Sequence, residues 1–154
     1  NPVLISMFLG IIRDHKTTMN MIELEITETV TDYDHDNSIK KLKALEIAGV
    51  SVCLDDWGTG DISIKAVQEL PLHRVKLDPE LLKLIETDKN SINTIQSLID
   101  LAHSLNLKVC IKGIENPTDL NTLMKLNCDE FQGYHLCEPQ SKEDLIQYFK
   151  QKNH

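Results

Sequence analysis

The sequence predicts an α/β fold with a parallel sheet, and three observations predict it. Short apolar runs alternate with longer amphipathic ones along the 154 residues. Most of the short runs are rich in Val, Ile or Leu, as strands covered on both faces should be. Each short run also ends in polar side chains, and parallel α/β folds place their chemistry at that end. Strand–helix alternation implies parallel strands joined by right-handed crossovers. The runs start about 20 to 35 residues apart, which suits an α/β barrel or a doubly wound sheet.

Each element follows from its local sequence. Pro2–Ile12 is the longest apolar stretch. It is shorter than the roughly 20 residues needed to span a bilayer. It also lacks the basic flank and small-residue cleavage site of a signal peptide. It is read as a buried helix. Ile22–Ile26 is the first strand. Asp36–Ala48 is helical, with Ile39, Leu42, Leu45 and Ile47 near one face and Gly49 as its C-cap. Val50–Leu54 is the second strand. Ser63–Leu70 is a short helix closed by Pro71. Arg74–Leu77 is the third strand, and Pro79–Ile85 a helix with Pro in its first turn. Asn90–Leu105 carries Ile92, Ile95, Leu98, Ile99, Ala102 and Leu105 at helical spacing. Leu107–Ile111 and Asp129–Gln132 are the last strands, with helices over Pro117–Leu126 and Ser141–Lys150. Ser141 with Asp144 has the form of an N-cap.

Composition narrows the function. Apolar residues make up 41% and charged residues 26%, which excludes a disordered or low-complexity chain. Sixteen basic against 24 acidic residues leave a net charge of -8. That field repels a nucleic acid polymer, though not a small phosphorylated ligand held through cations. No membrane segment is present, and Cys53, Cys110, Cys128 and Cys137 form no C-x-x-C pair. Three of the four lie in or beside strand-like runs, and buried reduced thiols suit a cytoplasmic location.

The polar residues at the strand ends carry the chemistry. Glu25 and Glu28 end the first strand, Asp55–Asp56 the second, Lys76 and Asp78 the third, Lys112 and Glu115 the fourth, and Gln132–Gly133 the fifth. Much less charge is expected at the N-terminal ends. Glu25, Asp55, Asp56 and Glu115 are oxygen donors of the kind that hard divalent cations choose. Two metals bridged by a carboxylate would satisfy the adjacent aspartates and could activate water for attack on phosphorus. The plainer alternative is a solvated acidic loop in which Asp56 caps the next helix. Gly58-Thr59-Gly60 is a flexible turn whose amides could approach an anion, or an ordinary turn. Trp57 could stack on a base, with packing the simpler expectation. The histidines show no ligand-like grouping.

Five ordered motifs then point to a family. Leu24-Glu25-Ile26-Thr27-Glu28, Asp55-Asp56-Trp57-Gly58-Thr59-Gly60, Val75-Lys76-Leu77-Asp78, Lys112-Gly113-Ile114-Glu115 and Phe131-Gln132-Gly133-Tyr134 occur in this order. They resemble the successive signatures of the EAL domain, the bacterial cyclic di-GMP phosphodiesterase family. The resemblance runs from about Met21 to Pro139. It implies a TIM-type (β/α)8 barrel with two Mg2+ or Mn2+ ions at the C-terminal face, where water opens cyclic di-GMP to pGpG. By the resemblance, Glu25 is a metal ligand, Asp55 the bridging aspartate and Asp56 the ligand of one metal. Lys76 helps hold the attacking water, and Gln132 belongs to the metal–water shell. Glu28 braces the loop from Asp56 to Ile64, which contains Trp57, Gly58, Thr59 and Gly60 and takes part in dimerisation and substrate binding.

Departures from the family pattern set the functional expectation. The family's fourth signature reads Glu-Gly-Val-Glu, and its first glutamate serves as general base and metal ligand. Lys112 stands there, a cation without a free lone pair near neutral pH. Trp57 replaces a phenylalanine, Asp61-Ile62 a Tyr-Ser pair, and Glu138 a lysine. The strand with the Glu-Ala-Leu signature and the next strand, with its metal-binding asparagine, are expected to precede Asn1. Residues 1–154 are thus expected to form the C-terminal portion of one EAL-like barrel, which usually takes about 250 residues. The expected role is that of a degenerate domain in cyclic di-GMP signalling, either a nucleotide sensor or a protein-interaction regulator. A phosphodiesterase lacking its N-terminal part, and a nucleotide-independent scaffold, are the alternatives. A homodimer is expected to cover open strand edges, and a regulatory protein is a further partner.

Overall fold

The computed structural model describes residues 2–15, 18–27, 35–87 and 91–152. Among these residues five strands form one parallel sheet: β1 Glu23–Ile26, β2 Ser51–Trp57, β3 Arg74–Leu77, β4 Lys108–Ile111 and β5 Glu130–Phe131. Seven α-helices accompany them: α1 Pro2–Asp14, α2 His35–Ile47, α3 Ile64–Glu69, α4 Glu80–Thr87, α5 Ser91–Ser104, α6 Pro117–Leu123 and α7 Lys142–Lys152. Strand order follows chain order, β1-β2-β3-β4-β5. This is the winding of a barrel wall. A doubly wound sheet would reverse order at a switch point.

The two faces of the sheet differ in chemistry, and strand alternation explains why. Ile26, Val52, Leu54, Val75, Leu77, Val109 and Ile111 belong to a cluster with Leu42, Val67, Leu81, Ile95, Ile99, Ala102 and Leu123 from the helices, and Leu24 packs against it. The opposite face carries Glu23, Glu25, Cys53, Arg74, Lys76 and Cys110, brought into line by the strand pairing. Apolar burial under the helices therefore holds the sheet, and the other face is left to polar work.

Local signals stop and start the helices. Gly49 ends α2 with φ +93°. Ser63 caps α3 by accepting from Ala66 N, and Asn116 caps α6 through Asp119 N, with Pro117 in the first turn. Ser141 accepts from Asp144 N at 3.2 Å and starts α7. The last predicted helix before β5 changes form at Met124, where a 3-10 turn runs to Leu126 and Asn127 closes it with φ +57°.

Three expectations are corrected. Pro2–Ile12 lies in a helix that is not buried all round: Ile12 packs inward, while Met7 and Ile11 are exposed. Ile47 does not share the apolar face of α2. It is 86% exposed, whereas Leu42 and Leu45 are buried, because the helix turns its last residue outward before Gly49. Nor are the N-terminal strand ends sparing of charge, since Glu23, Arg74, Lys108 and Glu130 all lie there. Long polar side chains can share the inner face when they neutralise one another.

The thiols follow the faces. All four cysteines are free. Burial pushes Cys53 up to about 12 and Cys128 up to about 11, while Cys137 is exposed. A thiol reagent near neutral pH should therefore modify Cys137 before Cys53 and Cys110, which should react on unfolding. Urea denaturation should separate two isoleucines: Ile99→Ala, in the core, should cost about 2–5 kcal/mol, and Ile47→Ala should change stability by less than about 0.5 kcal/mol.

Candidate functional site

The site is built from layers of side chains on the polar face of the sheet. Alternate strands of a barrel supply each layer. They stand two strand spacings apart, roughly 9.6 Å, so only long side chains meeting midway can join them. The lowest layer comes from β1, β3 and β5. Arg74 Nη1 donates to both Glu23 oxygens at 2.7 and 2.6 Å, and Nη2 donates to Glu130 at 2.6 Å. The next layer, from β2 and β4, holds the small buried thiols of Cys53 and Cys110. Above it β1, β3 and the residue after β5 meet again: Lys76 donates to Glu25 and, at 3.4 Å, to Gln132. Burial pulls the Lys76 ammonium down, but Glu25 outweighs it and leaves the pKa above the ordinary lysine value.

The top layer joins Asp55, Asp56 and Lys112. Regular alternation would send Asp55 and Asp56 to opposite faces. A bulge prevents this: Leu54 pairs with Val75 and Trp57 with Leu77, so three steps on β2 match two on β3. Asp56 takes the left-handed conformation at φ +55°, which aspartate tolerates better than most residues. Both carboxylates can then reach Lys112, whose Nζ donates to Asp55 Oδ1 at 2.5 Å and Asp56 Oδ1 at 2.6 Å. Lys112 and Asp55 are largely sheltered and Asp56 is half-exposed. Desolvation acts to lower the Lys112 pKa, but the two aspartates outweigh it and hold the ammonium above its ordinary value.

The loop beyond the bulge is fixed from beneath. Trp57 is buried in the core cluster, so it packs and is not presented to a ligand. Gly58 sits at φ +108°, and a Cβ there would come within 2.9 Å of Leu81 Cδ1. Thr59 donates its hydroxyl to Asp78 Oδ2 at 2.5 Å, while Asp78 Oδ1 accepts from Glu80 N and starts α4. Gly60 is exposed. Ser63, not Asp56, caps the next helix. Beside Lys112 lies an open cleft of about 390 Å³ lined by Pro79, Lys83, Gly113, Glu115, Gln132 and Tyr134, among others. Its floor is rigid, because Ile114 N donates to Gln132 O at 3.1 Å and any Cβ on Gly133 would strike the Ile114 backbone.

Comparison with known proteins decides the family. The EAL domain model matches residues 1–139. The chain belongs to the EAL domain family. The EAL domain here is 36% identical over 118 residues to the cyclic di-GMP phosphodiesterase NbdA of Pseudomonas aeruginosa, covering 77% of this chain and 15% of that protein. It is also similar to the PaMucR phosphodiesterase solved in complex with cyclic di-GMP (TM-score 0.81, 29% identity, 87% of this chain, 54% of that one). Klebsiella pneumoniae BlrP1, solved as a manganese and cyclic di-GMP complex, shares the fold (TM-score 0.76, 24% identity, 87% and 34%). The chain spans 15% to 19% of the length of NbdA and two other curated relatives. No helix among the described residues is long and apolar enough to cross a membrane.

In this EAL domain the sequence-predicted residues Glu25, Asp55, Asp56, Lys76, Lys112 and Gln132 share one face of the sheet, at the C-terminal ends of the strands. Glu115 is exposed on the rim of the cleft. Glu28 lies outside the described residues. The oxygen donors do not fit a divalent metal as they stand. Among the described residues no group of three or more His, Cys, Asp or Glu side chains is placed to hold one. Glu25 is held by Lys76, and both aspartates by Lys112. Sequence reasoning placed Asp78 at a strand end without a partner and gave no role to Arg74, Glu23 or Glu130. The i and i+2 spacing of charges on β1 and β3 was the signal that could have found the lower layer.

The Lys112 pKa sets a pH test. A lysine with a raised folded pKa stabilises fully below its unfolded value of 10.5 and loses that contribution as pH rises through the folded value. In thermal melts, the stability gap to Lys112→Met should stay constant from neutral pH to 10.5 and close above it.

Proposed function

We propose that this EAL domain is a regulatory module of cyclic di-GMP signalling that binds but does not hydrolyse the nucleotide. One observation carries the reading: Lys112 is ion-paired to Asp55 and Asp56 at 2.5 and 2.6 Å. It stands where the family's signature has its first glutamate. An ammonium has no lone pair with which to take a proton from water, and the loss of a general base typically costs about 10²–10⁴-fold. The same cation suits binding. Lys112 and Lys83 border the cleft, and Tyr134 offers an exposed ring beside them. A phosphodiester would meet the Lys83 ammonium there, with Lys112 offsetting the two aspartates, and a base would meet an aromatic face. A cytoplasmic location and a homodimer belong to this reading. The exposed Leu145, Ile146 and Phe149 of α7 support the latter as surface that a second copy could cover.

A phosphodiesterase is the second reading. It is favoured by Glu25, Asp55, Asp56, Lys76 and Gln132 on the same face, and by the activity named for NbdA. Incubation with cyclic di-GMP and Mn2+, followed by chromatography, separates the two. The regulatory reading predicts no pGpG from the protein and saturable nucleotide binding by calorimetry. Turnover to pGpG overturns it in favour of the enzyme. Absence of both turnover and binding overturns it in favour of a nucleotide-independent scaffold.

A further inference from the structure

We propose that Lys112 is a built-in replacement for a divalent cation. The chain carries a latent metal site at Asp55 and Asp56 that its own ammonium occupies. The inference rests on reading those aspartates as a cation site.

The geometry is specific to cation binding. The β2 bulge and the left-handed Asp56 bring two adjacent carboxylates to one point, at Lys112 Nζ. Adjacent strand residues would otherwise point apart. A solvated acidic loop needs no such arrangement, since water would satisfy each carboxylate where it lay. Lys112 arrives from β4, across β3, two strand spacings away. Its four-carbon stem is long enough to close that gap, and its charge brings the group of three from -2 to -1.

A divalent ion on the same oxygens would displace these hydrogen bonds and face an ammonium at close range. The backbone beside Lys112 is closely packed at Gly113. A Cβ on Gly113, which has φ +82°, would come within 2.7 Å of Pro79 Cβ. The backbone that positions Lys112 is therefore tightly packed against the start of α4. Glu25 offers the aspartates no help, because Lys76 engages it. Glu25, Asp55 and Asp56 thus each already have an internal cation. The binding of an anionic ligand in the neighbouring cleft would then require no metal.

The test is Mn2+ calorimetry on the full chain, with no nucleotide present. Lys112→Glu removes the cation and adds a carboxylate, and Lys112→Gln removes the cation alone. Circular dichroism checks that each folds; if Lys112→Glu does not, Lys112→Gln carries the comparison. Both variants should bind Mn2+ more tightly than the unaltered protein, by roughly 10- to 100-fold. Adding Asp55→Asn to either should abolish the gain. Equal Mn2+ affinity in the unaltered protein and the variants would overturn the proposal, as would a gain that survives Asp55→Asn. Turnover of cyclic di-GMP by the unaltered protein with Mn2+ would sink the regulatory reading, and turnover lost in Asp55→Asn would overturn this proposal too. A failed Mn2+ comparison would leave the regulatory reading in place.

Discussion

The ion-paired triad of Lys112, Asp55 and Asp56 is the constraint on which the rest of the site depends. It forms only because β2 carries one extra residue against β3. Without that bulge one aspartate would face the helices, where an unpaired carboxylate would be costly to bury. With it, both lie at the sheet's C-terminal edge and one long cation from β4 serves both. The bulge also sets Trp57 back among the core side chains and delivers Gly58 and Thr59 to the start of α4. Strand register, loop position and site charge are therefore settled together.

The same logic repeats down the inner face. Each charged layer uses one cation from a middle strand to reach carboxylates on other strands: Arg74 for Glu23 and Glu130, Lys76 for Glu25, Lys112 for the aspartate pair. Partly buried pairs of this kind add little net stability once desolvation is counted, although removing one partner is costly. The stabilising burial lies on the opposite face, where Ile99, Val75 and Val109 are inaccessible to solvent. One face holds the fold and the other selects which charges can sit together. That division lets a lysine stand at position 112 without loss of the sheet.

Much of this was legible in the sequence. Val, Ile and Leu runs located the first four strands, and Gly49 and Ser141 marked helix ends through ordinary capping chemistry. Placing Asp55, Asp56, Lys76 and Lys112 at one end of a parallel sheet needed only the strand assignments. The bulge was not legible, because an inserted residue leaves no mark in a run that already ends in Asp-Asp. The Arg74 network was missed because its partners lie 51 and 56 residues away. The exposure of Ile47 and α1 was missed because apolar spacing identifies a face without saying what covers it. The final apolar residue of α2 and the face of α1 had no neighbour written in their own sequence.

A double-mutant cycle between Lys112 and Asp55 tests the central interaction most directly. Stabilities of the protein, Lys112→Met, Asp55→Asn and the double variant give the coupling between the two side chains. A bond between sheltered partners at 2.5 Å predicts a favourable coupling of about 1 kcal/mol or more. A coupling within about 0.3 kcal/mol of zero would contradict the account, because Lys112 would then not be the cation that holds the aspartates together.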